Sequence, residues 1–144
     1  MPVVEKSALV HHTPAQMYRL VVEVEHYQDF LPWCSRSRLL SRTPEEVCGE
    51  LTVSNLGISQ TFSTCNRLVE NQRVEIKLRD GPFRKLEGAW EFTGLGENAC
   101  KVALHLEFEF SGRLINMAFG AVFGQIANSL VDSFCKRADE VYRD

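Results

Sequence analysis

From Trp33 to Phe110 the sequence takes a period of two, and then a run of about 30 residues follows with helical period. Val47, Gly49, Leu51 and Val53 alternate with Cys48, Glu50, Thr52 and Ser54. Ile58, Gln60, Phe62 and Thr64 alternate with Ser59, Thr61, Ser63 and Cys65, and Asn66 continues the first set. The same rhythm runs through Val74–Leu78 and Leu86–Phe92, and is cleanest in Val102, Leu104, Leu106, Phe108 and Phe110. Alternation of this kind describes antiparallel strands with one dry and one wet face. Turn signals at Thr43-Pro44, Asn55-Leu56-Gly57, Glu70-Asn71-Gln72, Asp80-Gly81-Pro82 and Gly94–Asn98 separate the runs.

Ahead of this region, Val3–His11 reads as a first strand. Thr13-Pro14-Ala15-Gln16 opens a helix with a capping box, and Met17, Leu20, Val21 and Val24 carry it to about Glu25. His26–Leu31 reads as a second short helical turn, stopped by Pro32. After the strands, Ser111-Gly112 ends the sheet and Arg113–Tyr142 forms one long helix. A length of 144 residues leaves room for one domain, residues 1–144. The expected fold is α+β: a curved, seven-stranded antiparallel sheet around a long C-terminal helix, with two short helices after strand 1.

Composition narrows the function. An apolar fraction of 44% and a charged fraction of 24% are ordinary globular values and exclude a disordered or collagen-like chain. The net charge of −3 does not mark a nucleic-acid-binding domain. Five separated cysteines without a CxxC pair argue against a zinc ribbon or a thioredoxin-like motif, and are read as reduced thiols. With no apolar segment after Met1, a cytoplasmic location is expected. The longest apolar stretch, Leu114–Gly124, is broken by Asn116, so no membrane span is expected.

On a helical wheel, Leu130, Val131, Phe134, Ala138, Val141 and Tyr142 share one face of the long helix. Extended backwards, that face carries Gly120, Gly124 and Ala127, bordered by Met117 and Phe123, while Leu114, Ile115, Ala118, Ala121 and Val122 fall outside. Glycine inside a helix costs about 1 kcal/mol relative to alanine, so two of them need a reason. Either another element packs closely there, or a cavity lies beneath the helix and an apolar patch above it.

Catalytic constellations are absent from the sequence. His11 and His12 point to opposite faces of a strand and cannot share a metal. His26 and His105 lack a metal-ligand or dyad spacing, and there is no phosphate loop, GxSxG or HExxH. Glu107 and Glu109 share a strand face, but an outward one. The basic residues Arg36, Arg38, Arg84 and Lys85 are candidates for one edge that meets phosphates.

His26-Tyr27-Gln28-Asp29-Phe30-Leu31-Pro32-Trp33-Cys34 resembles the YPxFLPWC segment of the coenzyme Q-binding START-like family. Asp80–Phe92 resembles its DGPFKxLxGxWxF signature, and Phe108-Glu109-Phe110 with the following helix is similar as well. The resemblance covers nearly the whole chain and is nearest to the bacterial RatA branch. It implies a helix-grip fold over a hydrophobic tunnel, with no cofactor required and ubiquinone or a similar isoprenoid lipid as ligand. RatA members are named as toxins that bind the large ribosomal subunit, and the wider superfamily includes polyketide cyclases. The expectation is a non-enzymatic carrier with transient contact at the inner membrane; ribosome binding is the alternative and a cyclase the third. Cavity candidates are Phe30, Trp33, Phe62, Leu86, Trp90, Phe108, Phe110, Met117 and Phe123, with Gln60, Thr64 and Asn66 as head-group partners.

Overall fold

The computed structural model describes residues 3–55 and 58–142. Strand β1 (Val3–Val10) is followed by helix α1 (Pro14–Val22) and a short 3₁₀ helix, Val24–Asp29. Six strands come next: β2 (Cys34–Arg42), β3 (Glu46–Asn55), β4 (Ile58–Val69), β5 (Arg73–Asp80), β6 (Phe83–Gly94) and β7 (Cys100–Phe110). Helix α2 (Arg113–Val141) closes the chain. Leu56 and Gly57 of the expected β3–β4 turn lie outside the described residues.

The sheet order is β1-β7-β6-β5-β4-β3-β2, antiparallel throughout. Strands β2 to β7 are sequential neighbours, so only β1 stands apart. The two short helices carry the chain from that edge to the other. Register shifts in β2, between Ser63 and Thr64, and between Phe83 and Lys85 bend the strands so that the sheet curls around α2. This is the helix-grip architecture.

Local chemistry accounts for the elements that position the cavity. Thr13 Oγ1 accepts from the Gln16 amide at 3.1 Å, and Gln16 Oε1 accepts from the Thr13 amide at 2.9 Å. With Pro14 at the first helical position, this is the expected capping box. Helix α1 stops at Val22 rather than near Glu25, because the Glu23 backbone leaves helical geometry and a 3₁₀ turn takes over. That turn presses Val24 onto β3 at Gly49. A Cβ at Gly49 would sit 2.7 Å from a Val24 methyl, so only glycine lets the turn settle this close. Tyr27 then donates its hydroxyl hydrogen to the Val21 carbonyl.

Helix α2 seats Phe119, Phe123, Ile126, Ala127, Val131, Phe134 and Ala138 in the core. Its far end is tied to the β1–α1 corner by His12 Nε2 and Asp139 Oδ1, 2.7 Å apart, and by the Tyr142 hydroxyl donating to the Gln16 carbonyl at 3.1 Å. His12 is therefore a buried tether rather than a surface group. The wheel placed Met117 beside the sheet, but the residue is 76% exposed. Phe119 turns inward instead, its ring centre 5.9 Å from that of Phe110. Burying an aromatic ring removes more apolar surface from water than burying a thioether chain, and this sets the helix rotation.

The cysteines also depart from expectation. Cys48 and Cys65 face each other across β3 and β4 on the outer side of the sheet and form a disulfide. Alternation puts both on outward positions, but only the strand register makes them partners. Cys34, Cys100 and Cys135 are free thiols.

Candidate ligand-binding site

Between the sheet's inner face and the middle of α2 lies a cavity of about 80 Å³. Inward positions of β3 and β4 supply Gly49, Leu51, Phe62, Thr64 and Asn66. Strands β5 to β7 add Ile76, Leu86, Trp90 and Leu106. Phe123, Ile126, Ala127, Leu130 and Phe134 form the helix side, and Val24, Tyr27 and Trp33 close the remaining wall.

Within this apolar lining, two buried polar atoms have no hydrogen-bond partner: the indole nitrogen of Trp33 and Oδ1 of Asn66. Asn66 is 7% exposed. Leaving a buried donor or acceptor unpaired costs about 1–3 kcal/mol, so such groups normally have partners. The two are not adjacent. Asn66 pairs with Val47, whereas Trp33 accepts at its carbonyl from the Ser54 amide, seven residues farther along β3. The lining offers one titratable side chain among the described residues, Tyr27, and burial holds its phenol far above the ordinary value of 10. It is neutral at physiological pH and already bonded to Val21. None of the lining side chains among the described residues is therefore charged at physiological pH.

Trp33, Phe62, Thr64, Asn66, Leu86, Trp90 and Phe123 of the expected set come together here. Five others do not. Phe108 and Phe110 are buried, but their rings fill space in an aromatic cluster with Phe83 and Phe123, with centroids 4.4–5.6 Å apart for the Phe83–Phe110, Phe108–Phe123 and Phe110–Phe123 pairs. Phe30 packs behind the wall on Phe134, with the Arg137 guanidinium 5.1 Å above its ring. Gln60 is half-buried opposite Val53 and outside the lining, and Met117 faces outward. Tyr27, Ile126 and Phe134 were not among the candidates. Phe134 was legible as an inward helix residue, but which inward rings border empty space was not.

The four basic candidates do not gather. Arg36 and Arg38 are on β2, while Arg84 and Lys85 are on β6, with three strands between them. At ~4.8 Å per strand, that is roughly 19 Å of sheet. Arg38 lies 3.4 Å from Glu50, Arg84 3.6 Å from Glu109, and Lys85 3.3 and 3.5 Å from Glu87 and Glu107. Only Arg36 makes no ion pair among the described residues.

Outside the cavity, the first turns of α2 expose Leu114 at 81% along with Met117. An 18-residue window of this helix reaches a mean hydropathy of 1.4 with 28% of it buried. By length and composition the helix could cross a membrane, a property it shares with core helices, and its core side is seated on the sheet.

A curved antiparallel sheet gripping one helix over an apolar cavity defines a helix-grip protein of the START-like class. Residues 10–135 match the family described as polyketide cyclase/dehydrase and lipid transport, and the chain belongs to that family. It is 47% identical over 142 residues to the ribosome association toxin RatA of Escherichia coli K12, covering 99% of this chain and 90% of the relative. It is 29% identical to the coenzyme Q-binding protein COQ10 homolog B of Xenopus laevis, covering 95% of this chain and 58% of that protein. Among solved structures, an 18 kDa protein from Caulobacter crescentus superposes with a TM-score of 0.74 at 27% identity, covering 98% of both chains. An aromatase/cyclase from a Streptomyces species reaches 0.84 at 15% identity, covering 99% and 96%, a likeness of fold alone.

Proposed function

We propose that the protein is a non-enzymatic carrier of a hydrophobic molecule with a polar end group, of the ubiquinone or isoprenoid-lipid type. The supporting observation is an apolar cavity whose lining holds two unpartnered polar atoms, Trp33 Nε1 and Asn66 Oδ1. A mostly apolar pocket with a few placed polar groups is what such a ligand requires. At about 80 Å³ the cavity is much smaller than the ~300–1,000 Å³ of a typical ligand pocket, so loading requires α2 to move off the sheet. The exposed Leu114–Met117 face then meets lipid, with the protein cytoplasmic and peripheral to the inner membrane. Extraction of protein purified from its host, followed by mass spectrometry, tests this. A near-stoichiometric quinone or isoprenoid is expected. A protein that is empty and also refuses added quinone sinks the proposal.

A second reading is association with the large ribosomal subunit, favoured by the 47% identity to a relative named for ribosome association. Neutralisation of Arg38, Arg84 and Lys85 by carboxylates argues against those residues as a shared phosphate-binding edge. Co-sedimentation with separated subunits across a salt series decides it: a weak salt slope means a contact with few phosphates. The two roles use different surfaces and are compatible.

A further inference from the structure

The outer face of the β3–β4 hairpin carries a pair of groups that neither reading uses. Cys48 and Cys65 are direct register partners with Cα atoms 4.0 Å apart, close to the ~4.5 Å of a non-hydrogen-bonded antiparallel pair. The hairpin's pairing runs without a shift from Glu46–Arg67 to Asn55–Ile58, so the two cysteines are held opposite each other by strand register. Cys48 is buried and Cys65 half-buried, so Cys65 is the more accessible residue of the pair. Among the described residues, Cys34, Cys100 and Cys135 are free thiols without such a partner. Burial pushes the Cys34 and Cys135 thiols up to about 11, leaving almost no thiolate at neutral pH. On the inner side of the same strands, the pairs flanking the disulfide are Gly49–Thr64 and Val47–Asn66, and Gly49, Thr64 and Asn66 line the cavity.

We propose that Cys48 and Cys65 are a reversible thiol–disulfide site that exchanges with small disulfides of the glutathione class and, when joined, braces the cavity wall bearing Thr64 and Asn66. In the oxidising direction, the Cys65 thiolate attacks one sulfur of oxidised glutathione, forming a mixed disulfide and expelling one glutathione thiolate. The Cys48 thiolate then attacks the Cys65 sulfur and expels the second. Two protein thiols lose two electrons, the small disulfide gains them, and the two thiol protons leave with the two released thiolates. Joined strands cannot splay, so the oxidised form presents a stiffer wall when α2 moves off the sheet and loads more slowly. That last consequence rests on the carrier reading, but the exchange chemistry does not.

The test equilibrates the full chain in graded mixtures of reduced and oxidised glutathione, alkylates free thiols and reads intact mass and peptide maps. Two of the five cysteines should pass between free and joined within the series, mapped to Cys48 and Cys65. A bond that survives the most reducing mixture, thiols that stay free in the most oxidising one, or a different pairing would each overturn the site. Cys48→Ser should stop at a mixed disulfide on Cys65, and Cys65→Ser should form little because Cys48 is buried; the reverse pattern refutes the attack order. Far-ultraviolet circular dichroism checks that both variants fold. A stable zinc complex of the reduced protein on Glu46, Cys48 and Cys65, whose ligand atoms lie within 4.8 Å, would overturn the redox reading if it prevents oxidation. Hydrogen exchange at Thr64–Asn66 should be several-fold slower in the oxidised form, and equal rates remove the brace. Decylubiquinone exchange is measured separately on both forms. Failure of both forms to bind it would defeat the carrier reading and leave the thiol result standing.

Discussion

Replacing Asn66 by leucine should strengthen the empty protein and weaken the loaded one. Asn66 is 7% exposed, its Oδ1 has no partner, and it faces an apolar lining. An unpaired buried polar group costs about 1–3 kcal/mol, and leucine has nearly the same shape without that penalty. For a chain near 150 residues each kcal/mol moves the melting temperature by roughly 2–4 °C, so delipidated Asn66→Leu should melt about 2–12 °C higher. A ligand that hydrogen-bonds the amide loses about 0.5–1.5 kcal/mol, a loss of affinity of about two- to twelve-fold. Quenching of the lining tryptophans Trp33 and Trp90 during a quinone titration reads the second effect, and calorimetry of extracted protein reads the first. Opposite signs are the diagnostic result. If the variant is destabilised by more than about 1 kcal/mol and binds quinone as before, the amide is a structural group already satisfied, and the inference from its unpaired oxygen fails.

Gly124→Ala should stabilise the protein by about 1 kcal/mol in a urea melt, because the added Cβ meets only Phe108 Cζ at an ordinary 3.8 Å. Destabilisation would mean the glycine is held for close packing. Leu114→Ser with Met117→Ser should leave the unfolding free energy from a urea melt within about 0.5 kcal/mol yet reduce co-flotation with anionic vesicles, and unchanged flotation would remove this face from the membrane reading. Arg42 donates to both Glu25 oxygens, at 2.9 and 2.7 Å, and this holds the Glu25 carboxyl below its ordinary 4.5. A carboxyl depressed in the folded state contributes stability above its unfolded value and loses it as pH falls through the folded one. The stability gap between wild type and Glu25→Gln should therefore be full at pH 6 and shrink below about 4.5; a gap that persists at pH 2 contradicts the ion-pair cause.

Much of the fold was legible because its signals are local. Period-two alternation marked the strands, the Thr13–Gln16 box marked the start of α1, and the inward positions of Phe62, Thr64, Asn66, Leu86 and Trp90 followed from counting by twos. The errors fall where the outcome depends on which bulky groups reach a shared space first. Phe119 displaced Met117 at the helix underside, and Phe108 and Phe110 filled the volume that a wheel reading left empty. Charge was misread for the same reason: Arg84 and Lys85 look free in the sequence, but their carboxylate partners Glu107 and Glu109 come from the neighbouring strand.

The sequence by itself determined the element types, their order and the side of each strand that is dry, since periodicity and caps act over a few residues. Only the tertiary structure decided where the cavity sits, that Trp33 and Asn66 keep unpaired polar atoms in it, and that Cys48 meets Cys65. These depend on strand register and on packing between segments far apart in the chain. His12 meeting Asp139 across 127 residues shows how far apart the contacting residues can be. No local pattern encodes such meetings, because the free energy that selects them comes from the rings and strands competing for the same interior volume.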